Sequence, residues 1–223
     1  MTLQSRSILD KDLNNLRASI LQMTSLVDTA IEHAMLALDQ RDVALAQEVI
    51  NNDQQVNQLR YDVEESSLQI LATQQPMASD LRVVIAAIHL AVELERIGDH
   101  ASGIARLVAR LESEDEIDTL HKLPKMAKRA RQMLRESVDA FINKDADSAK
   151  VMIGRDDKID RQYNKLFKET LEEMQDDAYI RRATFLLWAG HNLERIGDRT
   201  TNIAERVIFM TTGEFVETST DME

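Results

Sequence analysis

Apolar residues recur at steps of three and four along most of the chain, and that period belongs to amphipathic helices. The clearest run, Leu9, Leu13, Leu16, Ile20, Met23, Val27, Ile31, Ala34 and Leu38, predicts a first helix from about Ser7 to Leu38. Asp39 to Asp42 reads as a turn, with Asp42 the N-cap of a second helix from about Val43 to Thr73. Gln74-Gln75-Pro76 stops that helix and leads into a third, from about Met77 to Leu111. Glu112 to Asp118 is acidic and aperiodic, the composition of a linker. Three further helices are predicted, from about Leu123 to Asn143, Ala146 to Met174 and Tyr179 to Thr211, followed by a polar, acidic tail from Gly213 to Glu223.

The second set of three repeats the first. The hexapeptide Leu94-Glu95-Arg96-Ile97-Gly98-Asp99 returns unchanged as Leu193-Glu194-Arg195-Ile196-Gly197-Asp198, 99 positions on. Asp42 and Asp53 find counterparts in Asp145 and Asp156, 103 positions on, so the copies differ by four residues in the loop before the last helix. A register that breaks only in a loop marks an internal duplication. Three amphipathic helices with short connections hide their apolar stripes by packing antiparallel. The expected fold is therefore all-α: two pseudo-symmetric three-helix bundles, six long helices in all, divided as residues 1–115 and 116–223.

The hexapeptide also carries the candidate chemistry. Residues four apart share a helix face, so Glu95 stands beside Asp99 and Glu194 beside Asp198. Each like-charge pair costs a helix roughly 0.2–0.5 kcal/mol unless a cation relieves it. A hard divalent or trivalent cation taking oxygen ligands is the natural relief. Gly98 and Gly197 also break helix rules, at about 1 kcal/mol each relative to alanine, and imply close packing. In projection the carboxylates fall opposite the large apolar residues, on a surface or groove, with arginines near enough to make ordinary exposed ion pairs instead. His100 points away from Asp99 and is expected to be solvated, His191 shares the face of Glu194, and Trp188 is expected in the core or between the repeats.

Charge and composition narrow the classes. A formal net charge of −12 argues against nucleic acid or an anionic membrane surface as principal partner. There is no Cys, which removes thiolate ligands and thiol nucleophiles. No stretch of about 18 uncharged apolar residues exists, so a cytoplasmic, soluble protein is expected. No glycine-rich phosphate loop or Ser-His-Asp order is present, and no enzymatic activity is expected.

The two hexapeptides, with their continuations Asp99-His100-Ala101-Ser102-Gly103-Ile104-Ala105 and Asp198-Arg199-Thr200-Thr201-Asn202-Ile203-Ala204, resemble the duplicated signature of the PhoU family. Pro76-Met77-Ala78-Ser79-Asp80-Leu81-Arg82 is similar to that family's lead-in, and the likeness runs from about Leu9 to Met210. The resemblance implies a cytoplasmic regulator that keeps the phosphate-starvation response off. It would do so by linking the ATPase subunit of an ABC phosphate importer to a membrane sensor histidine kinase, commonly as a homodimer. It also implies a metal ion, iron, manganese, magnesium or zinc, held by Glu95, Asp99, Glu194 and Asp198. Asn202 keeps the family's downstream amide, whereas its counterpart in the first repeat is Gly103, a departure that bears on whether both repeats hold metal equally. Two other classes remain: a ferritin-type carboxylate-bridged metal enzyme, which would aim Glu-x-x-His ligands inward, and a metal-free helical scaffold.

Overall fold

The structure, a computed structural model, describes residues 3–111, 120, 122–155, 157–177 and 179–216. The linker expected at Glu112–Asp118, Asp156 and the end of the tail lie outside the described residues. Seven helices follow in order: α1 (Leu3–Gln40), α2 (Val43–Gln74), α3 (Ser79–Leu111), α4 (Leu123–Asn143), α5 (Ala146–Ile153), α6 (Asp157–Glu173) and α7 (Ile180–Thr212). Helices α1, α2 and α3 pack on one another, as do α4, α7 and the pair α5 and α6. Contacts of α3 with α7 and of α1 with α4 join the halves.

The duplication is visible down to single hydrogen bonds. Arg41 and Lys144 both adopt left-handed backbone at φ 54°. The following residues, Asp42 and Asp145, donate their backbone N–H groups to Ala37 and Ala140 at 3.0 and 2.9 Å. Each aspartate then caps the next helix, Asp42 accepting from the Leu45 N–H and Asp145 from those of Asp147 and Ser148. In this way the two Asp caps satisfy backbone donors that a bare helix start leaves unpaired. Farther on, Val56 and Val63 of α2 are buried as Ile159 and Leu166 are in α6, 103 positions later.

The helix expected from Ala146 to Met174 is interrupted. At Gly154 and Arg155 the chain makes a tight turn in which the Arg155 N–H bonds to the Met152 carbonyl at 2.9 Å. Glycine resists helix continuation, and Asp157 and Asp160 in the next turn favour a new N-terminus there. Arg155 also pairs with Glu136 of α4, which fixes the joint to the neighbouring helix. The two pieces together occupy the place of α2, so each half keeps its three-helix plan.

Helices α3 and α7 form the centre. Leu90, Leu94, Ile97 and Ile104 are fully buried, as are Leu193, Ile196, Ile203 and Val207. Full burial of such side chains stabilises by roughly 1.5–3 kcal/mol each. Trp188 is not in the core: it is 46% exposed, at the edge of the contact between the repeats. Phe185, Leu186 and Ala189 take the core-facing positions, and a helical period cannot turn Trp188 to the same side. It lies edge-on to Phe185, with the Arg110 guanidinium 5.7 Å from its ring. Among the described residues no helix is long and apolar enough to cross a membrane.

Candidate metal centre

In the second repeat α7 presents Glu194 and Asp198 one turn apart, while Leu193 and Ile196 anchor the opposite side in the core. Helix α6 brings Asp160 against them. One carboxylate oxygen from each of Asp160, Glu194 and Asp198 lies within 4.8 Å of the other two. Among the described residues this is the one set of three acidic or histidine side chains so gathered. The Glu194 Oε2 and Asp160 Oδ1 atoms are buried without a hydrogen-bond partner. Burial, and then the neighbouring Asp198, push the Glu194 carboxyl up to about 7 despite Arg195. Asp160 and Asp198 are raised as well, in each case chiefly by burial. Arg195 reaches Glu194 at 3.3 Å and Asp198 at 3.1 Å, and Arg199 also acts on Asp198, so two cations face three anions.

His191 stands three residues before Glu194, its Nδ1 3.6 Å from Oε2. Burial, followed by the charge of Arg195, lowers its pKa and favours the neutral ring. Its order on the helix is His-x-x-Glu, the reverse of the Glu-x-x-His pattern of carboxylate-bridged oxidases. Asn202 is half-buried one turn beyond Asp198. His100 is half-buried rather than solvated: its Nδ1 lies 3.0 Å from Asn192 Oδ1 across the α3/α7 contact, within electrostatic reach of Asp198.

The first repeat is built from α3 and α2. Glu95 is half-buried and Asp99 exposed, and Asp53 of α2 approaches them. Gly98 permits that approach, since a Cβ there would stand 3.2 Å from Asp53 Oδ1. Burial and then Asp99 raise the pKa of Asp53, and the same two causes raise that of Glu95. Arg60 of α2 sits 3.9 Å from Glu95. Gly103, the departure from the amide at Asn202, has its own reason: a Cβ would come within 2.9 Å of Asn192 Oδ1, so glycine admits the side chain that binds His100.

Asp53 and Asp160 therefore join the four carboxylates expected from the hexapeptides. Asp160 stands four residues after Asp156, a spacing that could have singled it out. What concealed it was the expected single helix, within which it had no identified partner.

The arrangement can gather negative charge at half-buried oxygens on one face of each half, the donor chemistry that hard cations take. The buried, unpartnered Asp160 Oδ1 and the crowded Glu194 Oε2 fit such an ion.

Comparison with known proteins bears on the fold and the family. The PhoU domain profile matches residues 20–108 and again 123–207. The phosphate-specific transport system accessory protein PhoU homolog of Clostridium acetobutylicum is 34% identical over 215 residues, covering 96% of this chain and 98% of that one. Its counterpart in Pseudomonas aeruginosa is 37% identical, covering 91% and 84%. The crystal structure of the phosphate transport system regulatory protein PhoU from Streptococcus pneumoniae superimposes with a TM-score of 0.88 at 34% identity, covering 94% of this chain and all of that one. PhoU from Pseudomonas aeruginosa gives 0.86 at 36% identity, covering 92% and 99%. With its duplicated signature, doubled profile match and end-to-end structural likeness, the chain belongs to the PhoU family.

Proposed function

We propose that the chain is a regulator of phosphate uptake and signalling that acts in the cytoplasm beside an ABC phosphate importer. In this reading it contacts the importer's ATPase subunit and a sensor histidine kinase and keeps the starvation response off while phosphate is plentiful. The observation that carries the reading is likeness along nearly the whole chain to proteins named as accessory or regulatory components of phosphate transport. Those names also favour an adaptor over an enzyme.

The carboxylate faces are its metal-binding surface. Asp160, Glu194 and Asp198 would hold the ion in the second repeat, and Glu95 and Asp99, with Asp53, are the corresponding groups in the first. An all-oxygen donor set suits magnesium, manganese or iron better than zinc. A cation bound there would neutralise crowded acids and fix the surface between α6 and α7.

The test is expression in a bacterium deleted for its own family member, with a phosphate-starvation reporter read in phosphate-rich medium. Restored repression is expected, and a reporter that stays on overturns the regulatory reading. Elemental analysis of protein purified without chelator should find bound metal, lost in the Glu194→Ala/Asp198→Ala double variant while helix content is retained. Metal-free protein on purification and after reloading overturns the metal reading.

A further inference from the structure

Equivalent positions of the two repeats are not chemically equivalent. Asn57 of α2 corresponds to Asp160 of α6, and Arg60 to Tyr163, in a register held by the buried pairs Val56/Ile159 and Val63/Leu166. On the central helices Arg106 corresponds to Glu205, two turns beyond the hexapeptide aspartate. The first repeat is thus more positive by one charge at the first pair, one at the second and two at the third. All three differences run in the same direction.

The geometry follows the charges. Arg60 lies 3.9 Å from Glu95, is held by Glu64 at 2.7 Å, and places its guanidinium 4.3 Å from the Tyr61 ring centre. Its side chain is 21% exposed and its Nε is buried. Arg106 also acts on Asp53. At the matching place in the second repeat stands Tyr163, a neutral side chain close enough to Glu194 to feel its charge. Arg195 does not alter the contrast, because Arg96 is its counterpart in the first repeat; Arg199 beside Asp198 and Glu64 beside Arg60 correspond to His100 and Phe167 and narrow the difference without reversing it. Arg195 is also 44% exposed, so it can swing into water when an ion arrives.

We propose that the repeats divide the work: the second binds a divalent cation tightly, while in the first the Arg60 guanidinium takes the place of that cation and holds metal affinity low. This rests on the metal reading above. Arg60 is anchored from both sides, by Glu64 and by Tyr61, and so remains beside Glu95 as a fixed counter-charge. The gathered trio of ligand-capable atoms belongs to the second repeat alone among the described residues, as the division requires.

Titration of chelator-stripped full-length protein with Mn²⁺, followed by calorimetry and by the electron paramagnetic resonance of free Mn²⁺, tests it. One tight site per chain is expected, with any second site weaker by about tenfold or more, the scale of one half-screened charge interaction. Glu194→Ala/Asp198→Ala should remove the tight site and Glu95→Ala/Asp99→Ala should leave it. Arg60→Tyr should raise the weaker affinity by about tenfold. Arg60→Gln, which keeps a long polar side chain on α2, serves should the tyrosine disturb folding, as judged by circular dichroism. Two equal sites in the unaltered protein, loss of the tight site on changing Glu95 and Asp99, or no response to either Arg60 variant overturns the division while leaving the metal reading intact. No Mn²⁺ binding overturns both.

Discussion

His100 Nδ1 and Asn192 Oδ1 meet at 3.0 Å where α3 crosses α7, and the same contact is made a second time with other atoms. Glu93 stands 99 positions before Asn192 and Arg199 stands 99 after His100, and Arg199 donates to Glu93 at 3.5 Å. One position of the fold is filled by an amide and an imidazole in one place, and by a carboxylate and a guanidinium in the other. Asn192→Ala leaves a half-buried imidazole nitrogen without its partner and should cost about 1–2 kcal/mol. Glu93→Ala breaks the longer pair and should cost under about 1 kcal/mol. Urea denaturation of both variants checks the order.

The crowding around Glu194 predicts an unusual pH dependence. Its folded pKa of about 7 lies above the ordinary 4.5, so between those values the native protein retains a proton that the unfolded chain has released. The penalty is complete above about pH 7 and is relieved as pH falls towards 4.5. Glu194→Gln should therefore stabilise chelator-treated protein by roughly 2–3 kcal/mol at alkaline pH and change little near pH 4.5. Thermal melts at the two pH values decide it, and equal shifts at both refute the assignment.

Across the second contact between halves, Arg131 of α4 grips Asp28 at 2.9 Å and Glu32 at 2.8 Å of α1, while Arg135 adds a bond of 2.7 Å to Asp28. Burial alone would push the Asp28 carboxyl up, but the two guanidiniums outweigh it and hold it below the usual carboxylate range. Lysine cannot reproduce a forked contact, so Arg131→Lys should cost about 1–2 kcal/mol at neutral pH. Because Asp28 is lowered, this stabilisation is present above its ordinary pKa of 3.8 and fades as pH drops through the folded value. Chemical denaturation at pH 7 and at pH 3 measures both parts.

Trp188 is the sole indole, half out in water beside Arg110. Its emission should be shifted to the red and quenched readily by acrylamide. Trp188→Phe should change stability by less than about 1 kcal/mol, as surface substitutions do. A blue-shifted, protected emission would return the side chain to the interior.

The all-helical plan and the duplication were legible because both leave periodic marks: apolar steps of three and four, and Asp42 and Asp145 at equal places in the two copies. The hexapeptide carboxylates were legible by their four-residue spacing, and Glu194 and Asp198 meet as that spacing requires. What remained hidden depends on which helices lie against each other. Asp160 joins the trio only because α6 crosses α7, and Arg60 reaches Glu95 only because α2 lies along α3. His100 looked like a solvent-facing residue within its own helix, since its partner Asn192 is 92 positions away. The choice between core and repeat contact for Trp188 stayed open for a different reason, because an uninterrupted apolar run from Phe185 to Ala189 conceals which member the helix turns outward.

Because the two bundles are consecutive parts of one polypeptide, each can change its residues alone. Were the same bundles separate subunits related by a true two-fold axis, any arginine placed beside one acidic site would reappear beside the other. Tandem linkage removes that constraint, so a single molecule can keep one half responsive to ions and leave the other permanently set.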